Sequence, residues 1–255
     1  VEAGWLAMGE DDLPAGERWL APAEAASLAA LRFTKRRTEY LLRRLVAKHA
    51  VAAVTGRPTD PAALAGIEIR NAPSGAPYVC VEGTTLGLEV SITDRAGWAV
   101  CVARPAGEGA ESPVGCDLEL VEPRTPGFVL DFLTAAEQEL VASRAAGEER
   151  DMVANLIWSA KESALKVLRT GLRRDTRSLE VTLTAPRGDG WGELSVGAAE
   201  GTVFPGWWRR DGRFVLTVAT EVTAVAAEPP VALGAPGVLA AAQPRHSWLD
   251  RPLQG

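Results

Sequence analysis

Apolar positions in the first half of the chain follow two rhythms. Over 31–54, Phe33, Leu41, Leu45 and Val51 recur at mixed three- and four-residue spacing opposite a basic face, and Gly56 then Pro58 stop the run. That pattern predicts one long amphipathic helix. Short β-rich runs follow at 66–69, 78–81 and 88–92, divided by turn clusters such as Asn-Ala-Pro-Ser-Gly at 71–75. An apolar run at 97–103 predicts a buried strand that closes this half.

The segment 104–113 is rich in proline, glycine and glutamate and reads as a linker, which puts a boundary near residue 110. Beyond it, Val114, Cys116, Leu118 and Leu120 alternate with Gly115, Asp117 and Glu119, the period of a strand with one buried face and the other turned outward. Thr134 and Glu137 form a Thr-x-x-Glu capping box that starts a helix, and a second helix over about 151–170 stops at Gly171. Strands are predicted at 179–183, 193–196 and 214–220. Each half thus reads as helix first and antiparallel strands afterwards, and the endings GWAVCVA (97–103) and GRFVLTVAT (212–220) suggest an internal duplication. After Val222 the chain is rich in alanine and proline, the composition of a surface-wrapping tail. The expected division is 1–110, 111–224 and a tail 225–255.

Composition narrows the function. Over 255 residues, 47% are hydrophobic and 24% charged, values of an ordinary folded protein. A net charge of −6 argues against a nucleic-acid binder that relies on a broad basic surface. Cys80, Cys101 and Cys116 sit in apolar stretches without zinc or redox spacing, which predicts buried free thiols. With neither a leader-like start nor an apolar run of about 18 residues, a cytoplasmic protein without a membrane segment is expected.

Two segments carry chemistry. In PVGCDLEL, Asp117 and Glu119 share one strand face with Cβ atoms roughly 7 Å apart, close enough to grip one cation. A solvated edge face would show the same pattern. In WSAKESALK, Trp158, Glu162 and Lys166 lie along one helical face with Lys161 adjacent, although Glu162 and Lys166 alone would also suit a surface ion pair. Together the segments offer three hard oxygen ligands and the cations that a Mg²⁺-bound pyrophosphate needs.

VGCDLE followed by WSAKESALK resembles the paired signature of the 4′-phosphopantetheinyl transferase superfamily, and the chain is similar to its monomeric, surfactin- and enterobactin-type members. The resemblance implies an α+β pseudo-dimer of two similar halves, each a small antiparallel sheet packed with helices, with the active site in the cleft between them. It implies that Asp117, Glu119 and Glu162 hold Mg²⁺ and that Lys161 and Lys166 contact phosphates of coenzyme A. The resemblance also makes Glu162 the candidate general base and counts Asp117 and Lys161 with it as catalytic. The implied partner is an acyl or peptidyl carrier protein whose serine attacks the β-phosphate of coenzyme A, releasing adenosine 3′,5′-bisphosphate.

In the first half, KRRTEYLLRR at 35–44 resembles the element that binds the nucleotide end. Arg37, Arg44 and Lys48 fall on one helix face, where they could meet the 3′-phosphate. An ordinary solvated basic face has the same spacing. Gly75 and Pro77 match a turn beside the adenine, with Ala76 a departure. Thr93 and Asp94 stand where relatives have Ser-His. An ionised aspartate repels a phosphate, so Arg95 is expected to restore positive charge.

His49 and His246 lack partners that would build a triad or metal site. Trp207 and Trp208 fit one core and one edge position better than a docking patch. Two other functions fit less well. Another Mg²⁺-dependent phosphoryl or nucleotidyl transferase would be expected to carry a phosphate-binding loop or kinase signature, which is absent here. A non-catalytic coenzyme A-binding protein of the same fold would have no physical reason to keep Asp117, Glu119, Glu162 and Lys166.

Overall fold

The structure is a computed structural model and describes residues 2–106, 113–221, 227–235 and 237–245. The centre of the expected linker, the end of the tail and His246 lie outside the described residues. In order, the elements are β1 (Gly4–Gly9), α1 (Pro22–Ala29), α2 (Thr34–Thr55), α3 (Pro61–Ala65), β2 (Ile67–Asn71), β3 (Pro77–Val81), β4 (Thr84–Thr85), β5 (Leu88–Arg95) and β6 (Trp98–Pro105). The second half contains β7 (Val114–Leu120), α4 (Pro126–Phe132), α5 (Ala135–Ala142), α6 (Glu148–Val167), β8 (Leu179–Leu183), β9 (Trp191–Ala198), β10 (Val203–Asp211) and β11 (Phe214–Thr220), followed by β12 (Val231–Ala232).

The fold is α+β, and its two halves repeat one plan. In the second half the sheet order is β7-β11-β10-β9-β8, and in the first it is β1-β6-β5 followed by a separate β2-β3-β4 sheet, with β3 packed beside β5. Helix α2 covers β6 and β1 as α6 covers β7 and β11. Sequence periodicity finds α2 and α6, whose apolar stripes are long, and misses β1, β10, α1 and α4. β1 (GWLAMG) has no polar position to alternate with, β10 (VFPGWWRRD) breaks alternation with proline, glycine and paired tryptophans and arginines, and α1 and α4 span only two turns, too short for a stripe to show.

The same buried ion pair locks each half. Lys48 lies 2.6 Å from Glu24 and donates to the carbonyls of Trp19 and Leu64. Lys161 lies 2.6 Å from Glu137 and donates to those of Phe132 and Thr176. Both glutamates also cap their own short helix, accepting from the backbone N–H of Ala21 and Thr134, and reach an outer strand at Ile69 and Val181. Each carboxylate therefore satisfies a helix start, a strand N–H and a lysine at once, which is how a buried charge is tolerated. The Thr134 capping box forms as the sequence predicts.

An apolar cluster joins the halves. Val100 and Val102 of β6, Cys116, Leu118 and Leu120 of β7, and Phe214 and Leu216 of β11 meet there with Trp5. The tail crosses the junction: β12 pairs in parallel with β1, and Leu239 and Ala242 enter this cluster. Trp207 and Trp208 are both buried, so neither lies at an edge. Trp208 donates to Thr184 O, and the Arg187 guanidinium stacks over Trp207. All three cysteines are buried free thiols.

Candidate active site

Strand β7 is buried on both faces. The alternation read from the sequence is present, but the Asp117 and Glu119 face turns inward against α6 rather than outward to water. Gly115 makes this approach possible, because a Cβ there would fall 2.0 Å from the carbonyl oxygen of Ser163. With the helix so close, Lys166 donates to Cys116 O at 2.7 Å and to Asp117 Oδ1 at 3.0 Å. One strand and one helix that lie far apart in sequence thus place acid against base. Burial is the largest influence on Lys166 and disfavours its charge, but Asp117, Cys116 and Glu162 together outweigh it and raise its pKa.

Glu162 sits on the same helical face. Burial first, and then the Asp117 carboxylate, push its pKa up to about 7, against the pull of Lys166. Its Oε1 and the Oδ2 of Asp117 are buried with no hydrogen-bond partner. Two buried carboxylate oxygens without partners, on acids close enough for Asp117 to raise the pKa of Glu162, are the donor chemistry a hard divalent cation requires.

Glu119 differs. Trp158 Nε1 donates to it at 3.0 Å, and Arg95 and Arg124 lie 3.1 and 2.9 Å from its Oε2. Its pKa is raised, by burial before the neighbouring Asp117. Among the described residues no group of three His, Cys, Asp or Glu side chains is arranged to hold a metal ion. Asp117 and Glu162 therefore fit a cation as they stand, whereas Glu119 is engaged by arginines.

The other expected contacts are largely redistributed. Lys161 does not face the site; it is wholly buried in the Glu137 clamp, because adjacent helix positions point about 100° apart. Burial lowers its pKa against the Glu137 hydrogen bond. Lys48 is likewise spent on Glu24. Arg37 donates to Leu28 O at 2.7 Å and lies 3.5 Å from Glu17, turned toward the C-terminal end of α1. Arg44 stacks on Tyr40 and donates to Asn71, whose side chain in turn donates to Gly75 O. It thus braces the turn at Gly75, whose φ of 90° suits glycine.

Thr93 donates to Asp117 Oδ1 at 3.1 Å and accepts from Leu118 N, stitching β5 to β7 and not pointing to a nucleotide. Arg95 does not restore charge beside Asp94, since it pairs with Glu119 and Glu122. Asp94 is instead neutralised by Arg43 at 2.5 Å. Arg43 and Arg124 were not singled out from the sequence. Arg43 sits in the basic run without a distinguishing spacing, and Arg124 stands in an irregular segment.

Residues 113–201 match the family model of the 4′-phosphopantetheinyl transferase superfamily. The matched stretch covers 89 of the 255 residues, all of them in the second half. Both signature segments, from Val114 to Glu119 and from Trp158 to Lys166, fall inside the matched stretch. A holo-(acyl-carrier-protein) synthase from Bacillus anthracis str. Ames, in complex with CoA (3′,5′-ADP), is 24% identical, with 42% of this chain and 97% of that chain covered and a TM-score of 0.36. The holo-[acyl-carrier-protein] synthase of Thermotoga maritima is 20% identical, with 56% and 91% covered and a TM-score of 0.34. Among curated proteins none matches the chain.

Proposed function

We propose that this chain is a 4′-phosphopantetheinyl transferase that moves the phosphopantetheine arm of coenzyme A to a serine of an acyl or peptidyl carrier protein. The observation that carries this reading is the approach of Lys166 and Glu162, on one face of α6, to Asp117 on β7, with an oxygen of each carboxylate buried and without a hydrogen-bond partner. A surface ion pair would leave neither oxygen buried. Mg²⁺ suits the pair, and when bound it would balance the carboxylates and withdraw charge from the pyrophosphate.

In the proposed reaction the serine Oγ forms a bond to the β-phosphorus, and the bond from that phosphorus to the bridging oxygen breaks. Adenosine 3′,5′-bisphosphate leaves with the electron pair. Glu162, the carboxylate on the helical face beside Lys166, takes the serine proton. Lys166 offers its ammonium to the pyrophosphate oxygens. Arg95, Arg124 and Trp158 hold Glu119 in place, and Thr93 orients Asp117.

Intact-mass analysis of an apo carrier incubated with this protein, coenzyme A and Mg²⁺ tests the reading. The expected gain is one phosphopantetheine, absent with Glu162→Ala. No gain across several unrelated carriers, with coenzyme A binding retained, would favour a non-catalytic coenzyme A-binding protein.

A further inference from the structure

Arg169 occupies a backbone position that physics reserves for glycine. Helix α6 ends in a Schellman-type turn, in which Arg169 N–H donates to Lys166 O and Thr170 N–H to Leu165 O, and Arg169 takes φ 55°. In the first half α2 ends the same way, with Arg57 N–H donating to Ala52 O, and the left-handed residue there is Gly56 at φ 66°. The repeated fold thus solves one problem twice, once with the favoured glycine and once with an arginine. A side chain kept in a left-handed backbone against its preference points to a use for that side chain.

Its surroundings indicate the use. Arg169 lines a cavity of about 250 Å³ with Lys166, Ser91, Glu89 and the turn at Ser74 and Gly75. Two cations and one acid make this cavity net positive. The larger cavity, of about 460 Å³, lies at the far end of β5 and is net negative: Lys35 and Arg95 are outnumbered by Glu10, Glu39, Asp94 and Glu122. A multiply charged anion therefore belongs in the smaller one.

Lys166 reaches Asp117 from this cavity, and Arg169 follows three residues later, just past the C-terminal end of α6. Arg169 pairs with Glu89 at 3.8 Å, the outer limit of an ion pair. Arg104 faces Glu89 across the β5 and β6 pairing, so Glu89 keeps a counter-charge when Arg169 turns toward a ligand.

We propose that Arg169 binds the 3′-phosphate of coenzyme A, in place of the expected cations Arg37, Arg44, Lys48 and Arg95, which the fold has committed elsewhere. This rests on the transferase reading for its ligand, and the test is a binding measurement that does not need turnover. Wild type and Arg169→Gly are titrated calorimetrically with adenosine 3′,5′-bisphosphate and with 5′-AMP. Wild type should bind the bisphosphate more tightly, and the variant should lose roughly tenfold or more of that affinity while 5′-AMP binding moves little. Its melting temperature should stay level or rise, because glycine relieves the turn, so lost affinity cannot be assigned to unfolding. Equal bisphosphate affinity in the two proteins, or a wild type that does not distinguish the two nucleotides, would overturn the proposal. Failure of the transferase reading appears separately, as an unmodified carrier despite the expected nucleotide binding.

Discussion

Lys161 Nζ lies 2.6 Å from Glu137 Oε2, with neither side chain open to water. A lysine adjacent to the candidate base is thus a structural anchor with all three of its protons donated inward. Its substitution should separate stability from chemistry.

Lys161→Met leaves Glu137 buried without its counter-ion and is expected to cost about 3–5 kcal/mol in urea unfolding. Adding Glu137→Leu should recover much of the loss. The folded fraction of the single variant should keep the wild-type KM for coenzyme A. A large rise in KM with unchanged stability would return Lys161 to the phosphate site.

Gly115→Ala drives a methyl group into the Ser163 carbonyl and must push β7 away from α6. Overpacking at this level typically costs about 1–3 kcal/mol or more. The expected result is a lower melting temperature together with lost transfer, since the same contact sets the spacing of Asp117 and Lys166. A variant as stable and active as wild type would show that this approach is not required.

Glu162 carries a sign that pH can read. Its folded pKa of about 7 exceeds the ordinary 4.5, so the metal-free fold holds the proton more tightly than the unfolded chain does. The stability this confers is present below about 4.5 and is lost as pH rises through about 7, on the order of 2 kcal/mol after allowing for partial exposure. Glu162→Gln should flatten that slope in denaturant titrations at fixed pH values. Mg²⁺ should stabilise the wild type most at the alkaline end and the variant least.

Lys166→Met removes the ammonium from Asp117 and from the expected pyrophosphate position. A fall in kcat/KM of about 100-fold is expected, with stability reduced by only about 1–2 kcal/mol because Thr93 still donates to Asp117. Chelation of divalent ions should abolish transfer by the wild type, and Mg²⁺ should restore it. Transfer that survives chelation would remove the cation from the site.

Much of this protein is legible in one dimension. The alternation around Asp117 and Glu119, the helical spacing of Trp158, Glu162 and Lys166, the Thr134 capping box and the stop at Gly56 all depend on neighbours a few residues away, which local sequence encodes.

What each charge does was decided only by packing. Lys48 and Lys161 look like surface cations, yet each sinks into a clamp whose members come from three separate segments. Arg37, Arg44 and Arg95 are spent on carbonyls, a brace and carboxylates, while Arg43 and Arg124 supply the pairing in their stead. A side chain's charge is written in the sequence, but its partner is whichever acceptor the fold brings within about 3 Å, and that distance exists only after distant segments have packed.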